Sequence, residues 1–260
     1  MRVDRLAILY DTQSLLLRGL TKLVRNPTLL VTYLVEPLVF LLLFSQLFQK
    51  LSLFMPSEPG GYLAYLTPGI VMFSALITSP LSGVSIVNDL NSGFLTKMLL
   101  TQVSRSAILL GRLLTDMTVV TAQALIAIVA AIAMGVTIAA GLPGIVLMLL
   151  TVAFFELAFS GIFLALGMAT RKTETLNALA GFLYLPLIFL SSAMFPTSFF
   201  PDWVQTISNY NPMSYVSDVM RHLVTGGLSL STLLDAYALI GIIALATFVA
   251  TLFQFRRVIT

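Results

Sequence analysis

The sequence NDLNSGFLTKMLLTQVSR, residues 88–105, interrupts an otherwise apolar chain and separates two long hydrophobic runs. It carries three charged side chains, those of Asp89, Lys97 and Arg105. Its apolar residues recur at spacings of three to five, which predicts a short amphipathic helix in the middle of the stretch. These residues are Leu90, Phe94, Leu95, Met98 and Leu99.

The composition indicates an integral membrane protein. Of the 260 residues, 58% are hydrophobic and 10% are charged, and the mean hydropathy is +0.99. A soluble domain carries about 25% charged residues, which excludes a soluble globular chain. The absence of cysteine excludes disulfides and thiolate metal sites. No cleavable signal peptide is expected, because the apolar run near the N-terminus is short and interrupted.

Six apolar runs are long enough to cross a bilayer, since one crossing needs about 20 apolar residues. With the N-terminus inside, all but two of the 14 lysine and arginine residues fall on the inner side, and only Lys50 and Arg221 lie outside. This bias follows the positive-inside rule, so both termini are expected in the cytoplasm. We therefore predict an all-α membrane protein with six transmembrane helices, in which residues 1–260 form a single domain. The runs cover residues 28–48, 62–87, 108–134, 143–169, 176–194 and 233–253.

The first 26 residues combine several basic side chains with leucines that fall roughly on one face of a helix. This pattern is typical of an amphipathic helix lying in the cytoplasmic membrane interface, and a disordered basic segment is the alternative. Asp11 and Arg18 lie off the apolar face. The leucines are Leu6, Leu9, Leu15, Leu16, Leu20 and Leu23.

The longest outer segment, residues 195–232, has its own organisation. It begins with an apolar, aromatic edge, and the sequence NYNP at 209–212 then breaks the helix because proline lacks an N–H and restrains the residue before it. A second short helix is expected over residues 213–224, ended by Gly226 and Gly227. Two short helices beside a span suggest a re-entrant pair that dips into the outer leaflet. The aromatic edge comprises Phe199, Phe200, Trp203 and Ile207.

No nucleotide-binding motif is present. The sequence GMATRKT at 167–173 lacks the glycine before lysine that lets backbone amides reach a phosphate, so the chain is not expected to hydrolyse ATP. His222 is the sole histidine, and an intramembrane serine protease would need a serine beside it, but no G-x-S-x-G occurs. We therefore expect no catalytic residue, no cofactor and no metal ligand, and interpret His222 as a solvated or interfacial side chain.

Acidic residues lie inside the predicted spans. Glu36 and Glu156 each sit within a span, and Asp116 lies one to two turns into another. Ionised groups cost about 2.5–3.5 kcal/mol at a helix centre, so these side chains should face protein or water. One interpretation is an ion-coupled secondary transporter that uses Glu36 and Glu156. The favoured interpretation is a polar contact between helices.

Residues 88–112 resemble part of the ABC-2 type permeases, the membrane subunits of ATP-binding-cassette exporters. Gly93, the sequence LLTQVSR at 99–105 and the pair Gly111–Arg112 are similar to that family's acidic–glycine helix, its P-V-S-R turn and the start of its next span. Gln102 stands where the family has proline, which makes the turn less rigid. The sequences MFP at 194–196 and NPMSY at 211–215 resemble the family's outer helix pair and its N-P-x-x-Y element.

The resemblance implies a permease that exports an amphiphile, such as a drug, a lipid or a lipid-linked saccharide. The chain is most similar to the branch of the family that includes daunorubicin-resistance and nodulation lipo-oligosaccharide exporters. The implied partners are two copies of a P-loop ATPase that bind ATP and Mg, a second permease that is identical or paralogous, and membrane lipid in a prokaryotic plasma (inner) membrane. No nucleic acid is expected.

The resemblance also assigns two sets of residues. The loop 88–106 would be the coupling element that contacts the ATPase, through Asp89, Gly93, Phe94, Leu95, Lys97, Met98, Ser104 and Arg105. The outer re-entrant segment would use Phe199, Phe200, Trp203, Asn211, Pro212 and Tyr215.

Overall fold

The structure is a computed structural model, and its described part consists of helices joined by short turns. It describes residues 5–54, 60–100, 103–226, 234, 237–238, 240–242, 244–246, 249 and 251. In this part of the chain the helices are α1 (Arg5–Val24), α2 (Pro27–Leu47), α3 (Gly61–Thr78), α4 (Pro80–Asn91), α5 (Phe94–Leu99), α6 (Arg105–Ala133), α7 (Gly141–Thr170), α8 (Thr173–Phe189), α9 (Asp202–Ser208) and α10 (Pro212–Thr225), with 3₁₀ turns at Gln49–Phe54 and Thr197–Phe199.

Four helical stretches are long and apolar enough to cross a membrane: Leu30–Leu47, Gly61–Asn91, Ser106–Ala133 and Gly141–Thr170. They correspond to the first four predicted spans, so the all-α membrane class is confirmed. The fifth predicted span is the shorter apolar helix α8. The sixth, residues 233–253, lies largely outside the described residues, and the count of six spans stays a prediction.

The second span is two helices rather than one. Pro80 begins α4 directly after Ser79, whose backbone is still helical at φ −51° and ψ −40°. Proline removes one N–H from the helical ladder and crowds the preceding turn, which explains why the helix is interrupted here. The span also continues to Asn91. The beginning of the polar stretch 88–105 is therefore the last turn of α4 and not a loop.

The core is built around α3. Fifteen of its 18 residues are buried, including Tyr62, Leu66 and Ile70, and the surrounding cluster draws on α6, α7 and α10. By contrast, only 17% of the apolar stretch Leu30–Leu47 of α2 is buried. In α8, three residues are buried. The helices α2 and α8 thus present most of their surface away from the other described helices.

Close backbone contacts at glycine hold α3 and α4 in place. A Cβ on Gly83 would lie 2.3 Å from the carbonyl oxygen of Phe163, and one on Gly167 would lie 2.7 Å from the carbonyl oxygen of Gly83. These distances leave no room for any side chain at the crossing of α4 and α7. A Cβ on Gly69 would lie 1.8 Å from the carbonyl oxygen of Ala193, which brings α3 against the turn that follows α8.

The N-terminal helix packs on α6. A Cβ on Gly111 would meet Leu15 Cβ at 2.6 Å, and Thr12 is buried at this contact. The face turned towards the protein therefore runs through Thr12 and Leu15. Leu9 is 67% exposed, and its expected place on an apolar face in the membrane interface stays a prediction.

Candidate functional site

The candidate coupling site is the short helix α5 together with the turns on either side. Gly93 has φ +70° and open space around its Cα, so it provides the left-handed residue that ends α4. Its N–H donates to the carbonyl of Leu90 at 3.1 Å. At the other side, Ser104 Oγ accepts from the N–H of Ala107 at 3.1 Å and caps the start of α6. Gly93 and Ser104 thus have backbone roles that set the direction of α5.

The apolar face of α5 is turned inward. Leu95 is 2% exposed, and Met98 and Leu90 pack beside it. These side chains join a small hydrophobic cluster between α4, α6 and α7, so α5 is anchored to the bases of these helices. The other members of the cluster are Ile86, Ile108, Leu109, Leu113, Leu164, Met168, Leu15 and Val103.

Phe94 is covered by the N-terminal helix. The guanidinium of Arg18 lies 3.9 Å from the centre of the Phe94 ring, a cation–π contact. This contact joins α1 to α5. The sequence analysis placed Arg18 only as a residue off the apolar face of α1, and no pattern in the sequence pairs it with Phe94.

The remaining residues of the predicted coupling site fall into different positions. Lys97 is exposed, and Leu100, which the sequence analysis did not select, is 84% exposed. Asp89 is half-buried and lines a cavity against α1. The side chain of Arg105 and the turn residue Gln102 lie outside the described part. Among the described side chains of this region, those of Lys97 and Leu100 therefore face outward.

Glu156 of α7 forms a hydrogen bond with Ser79, which lies at the break in the second span. Its side chain is fully buried, and its Oε2 lies 2.8 Å from Ser79 Oγ, while its Oε1 is in contact with the hydroxyl of Ser160. Ser79 Oγ is also 2.9 Å from the carbonyl oxygen of Ala75. A hydroxyl has one proton to donate, so a neutral carboxyl that donates to Ser79 satisfies both contacts. The geometry agrees with a polar contact between helices.

Glu36 is a second acidic residue inside a predicted span. It is half-buried on α2, and within the described residues it makes no hydrogen bond or ion pair. Asp116 instead pairs with Arg112, whose Nε lies 3.4 Å from Asp116 Oδ2. The described contacts thus pair Asp116 with Arg112, and a role of Glu36 and Glu156 in ion-coupled transport stays a prediction.

The outer segment forms the predicted pair of short helices, α9 and α10. Asn211 joins them to the end of α8: its Oδ1 accepts from the N–H of Met213 at 2.9 Å, and its Nδ2 donates to the carbonyls of Leu187 and Leu190 at 3.0 and 2.9 Å. Pro212 begins α10, where its missing N–H costs nothing. Whether this pair enters the bilayer stays a prediction.

A buried arginine fixes the outer segment to α3. Arg221 is 8% exposed, pairs with Asp218 and donates from Nη2 to the carbonyl of Ser192 at 2.8 Å. Its guanidinium lies 3.6 Å from the centre of the Tyr65 ring, and Tyr65 Oη donates to the same Ser192 carbonyl at 2.7 Å. His222 points away and is exposed. The sequence analysis counted Arg221 only as an outer charge.

Several aromatic side chains of the outer segment remain uncovered, as an interfacial position favours for amphipathic rings. Phe200 is half-buried, and Tyr210 was not selected from the sequence. The exposed fractions are 49% for Phe199, 64% for Trp203, 81% for Tyr210 and 47% for Tyr215.

Comparisons with known proteins match this architecture to one family. Residues 10–225 match the family described as ABC-2 type transporter. A protein named "Putative transport permease ycf38" from Cyanophora paradoxa is 31% identical over 78% of this chain and 70% of its own length. "Daunorubicin resistance ABC transporter permease protein DrrB1" from Streptomyces coeruleorubidus is 26% identical over 86% of this chain and 78% of its own length.

A third relative, "Probable doxorubicin resistance ABC transporter permease protein DrrC" from Mycobacterium tuberculosis, is 22% identical over 88% of this chain and 82% of its own length. The family match covers most of the helices described above, and the resemblance found in residues 88–112 and in the outer segment is confirmed. An ABC-2 permease is a membrane-embedded transport component that works with an ATP-binding subunit. The chain belongs to the ABC-2 type transporter family.

Proposed function

We propose that this chain is the permease subunit of an ATP-binding-cassette exporter and moves an amphiphilic substrate outward with ATP hydrolysed on a separate subunit. The main support for the proposal is the way in which α5 packs against the other helices. It is anchored by Leu95 in a cluster shared by α4, α6 and α7, while Lys97 and Leu100 face away from the chain. A helix held in this way moves together with the spans to which it is attached.

The proposed path of motion leads from α5 into α4 and then into α7. The contact between Gly83 and Gly167 makes α4 and α7 one packed unit, and the Glu156–Ser79 hydrogen bond joins α7 to the junction of α3 and α4. The break between Ser79 and Pro80 separates this unit from α3, which contacts Ala193 through Gly69 and Arg221 through Tyr65. When two ATPases close, a rigid-body displacement of α5 would rotate α4 and α7 against α3.

The proposed assembly contains two permeases and two ATPase subunits, with ATP and Mg bound on the ATPases. The support for a second permease copy, identical or paralogous, is the bare surface of α2 and α8. Phe182, Leu185 and Phe189 of α8 are 76%, 50% and 61% exposed, and they follow one helical face. We place the substrate route between the two copies, in a prokaryotic plasma (inner) membrane with the termini in the cytoplasm.

The proposed substrate class is an amphiphile: a drug, a lipid or a lipid-linked saccharide. Two relatives are named for daunorubicin and doxorubicin resistance, which supports an apolar compound with polar groups. The proposal is tested in proteoliposomes that contain the chain and its proposed P-loop ATPase partner. Accumulation of an amphiphilic dye should require ATP and Mg and should persist after a proton gradient is collapsed. Accumulation driven by a proton gradient without ATP would refute it.

Variants of the buried Glu156 distinguish an ATP-driven exporter from an ion-coupled transporter. Glu156→Gln should leave ATP-driven transport within about two-fold of the wild type, because the amide donates to Ser79 and accepts from Ser160 as a neutral carboxyl does. Glu156→Leu leaves both hydroxyls without this partner, and we expect a loss of about 1–3 kcal/mol in stability. Transport and thermal unfolding are measured on both variants, and on Glu36→Gln. Abolished transport in Glu156→Gln with normal folding would favour the ion-coupled alternative.

A further inference from the structure

A half-open cleft of about 240 Å³ lies between α1, α2, α4 and α6. Its walls are apolar on one part, where Leu23, Leu81 and Val119 lie, and polar on the other. A cleft with both kinds of lining fits a molecule with a polar head and an apolar tail. The polar side chains are Lys22, Tyr33, Ser85, Asn88, Arg112 and Asp116.

Two bases stand together where this cleft meets a second cavity. α1 crosses α6 in contact at Gly19, because a Cβ there would lie 2.5 Å from Thr115 Oγ1. Lys22 follows Gly19 by one helical turn, and Arg112 precedes Thr115 by one turn. Both bases line the cleft and also the neighbouring cavity that reaches α5. The crossing therefore presents a lysine and an arginine to one opening.

The charges of the cleft do not cancel. Arg112 Nε lies 3.4 Å from Asp116 Oδ2, and its Nη2 donates weakly to the carbonyl of Leu81 at 3.4 Å. The Nη1 group makes no further hydrogen bond to the described residues. Lys22 is exposed and has no ion pair in the described part of the chain. Two bases face one acid in the cleft, which leaves one positive charge beside donors that suit a phosphate.

The position of the cleft matches the level of lipid headgroups. Lys22 lies just before Pro27, where α2 begins, and Asn88 lies in the last turn of α4. Arg112 is seven residues into α6, about 10 Å along the helix axis. These are the ends of the spans at the lysine- and arginine-rich side, which the orientation proposed above assigns to the cytoplasm.

We propose that the cleft binds an anionic phospholipid of the cytoplasmic leaflet. Its phosphate contacts Lys22 and Arg112, and an acyl chain lies along Leu23, Leu81 and Val119. Basic pockets between transmembrane helices on the cytoplasmic side suit lipid headgroups, and each base near the membrane surface contributes about 1 kcal/mol. The bound lipid bridges α1 and α6 and so stabilises the contact between the N-terminal helix and the spans.

The test uses the full chain, purified in a neutral detergent, with phosphatidylglycerol or phosphatidylcholine of equal chain length. Native mass spectrometry counts the retained lipids, and thermal unfolding follows their effect. The wild type should retain phosphatidylglycerol in preference to phosphatidylcholine and gain stability from it. Lys22→Gln should weaken retention roughly five-fold, the equivalent of about 1 kcal/mol. Arg112→Gln combined with Asp116→Asn removes the second base without leaving a buried acid unpaired.

The controls are Lys97→Gln and Lys172→Gln, which remove one exposed positive charge each outside the cleft. They should retain phosphatidylglycerol as the wild type does, because the proposed site retains the lipid and exposed positive charges elsewhere do not. Millimolar inorganic phosphate should not displace the lipid, since it cannot use the apolar walls. Equal retention by Lys22→Gln and its controls, or displacement by phosphate alone, would overturn the proposal.

Discussion

Gly83→Val should prevent the permease from accumulating in a folded form in the membrane. Even the Cβ would lie 2.3 Å from the carbonyl oxygen of Phe163 and 2.7 Å from Leu176 Cδ2. The first of these atoms belongs to the backbone of α7, so the clash is relieved only if α4 and α7 separate. Overpacking of this kind costs about 1–3 kcal/mol or more. Gly83→Ala should lower the melting temperature by roughly 5 °C.

Gly181→Ala provides the matched control in another apolar helix. A Cβ at Gly181 would have Tyr184 Oη as its nearest neighbour, at 3.9 Å, which is ordinary contact. Alanine is a better helix former than glycine by about 1 kcal/mol, so this variant should be as stable as the wild type or more so. Fluorescence-detected size-exclusion chromatography and thermal unfolding measure all three variants. A folded, fully stable Gly83→Val protein would show that α4 and α7 do not cross in contact.

Negative charges placed on the outward side of α5 and on the residue that follows it should separate the permease from its ATPase. The permease itself should remain in the membrane. In the double variant Lys97→Glu, Leu100→Glu, both changes fall on exposed side chains, and neither contributes to the buried cluster. We expect the amount of ATPase that co-purifies to fall about ten-fold, the equivalent of about 1.4 kcal/mol, and substrate-stimulated ATP hydrolysis to fall with it. Quantitative co-purification from membranes with matched permease levels measures the effect.

Two further variants separate docking from folding. Lys172→Glu reverses an exposed charge in the neighbouring inner turn and should leave the ATPase bound. Leu95→Ala removes a side chain that is 2% exposed, so it should destabilise the permease itself by about 2–5 kcal/mol. If the Lys97→Glu, Leu100→Glu variant keeps its ATPase, α5 does not contact the partner through this surface.

Among the predicted site residues, those with local roles were the easiest to recognise. Asn211 caps α10 and Pro212 begins it, as expected from asparagine at the N-cap and proline at the first helical position, which is a signal local in the sequence. Gly93 likewise ends α4 through its own backbone conformation. Leu95 and Met98 were correctly placed on one apolar face. Their expected partner was an ATPase, whereas the structure places this face against the chain's own α4, α6 and α7.

The contacts that the sequence did not indicate all join residues far apart in the chain. Gly83 meets Gly167, Glu156 meets Ser79, and Arg221 lies over Tyr65. No periodicity connects such partners, because a pattern within one helix reports its own apolar face and not the surface that covers it. A single glycine in a span looks the same whether a neighbouring backbone touches it or lipid does.

The sequence by itself determined that this protein is a helical membrane protein of the ABC-2 type. Apolar runs of bilayer length leave the helix as the structure that satisfies their backbone groups, and proline, glycine and asparagine mark where helices stop and start. Only the tertiary structure decided that α5 is anchored inward, that Ser79–Pro80 divides the second span, and that two bases face one cleft. These features depend on how helices pack across the bundle, and packing is set by side chains from several helices at once.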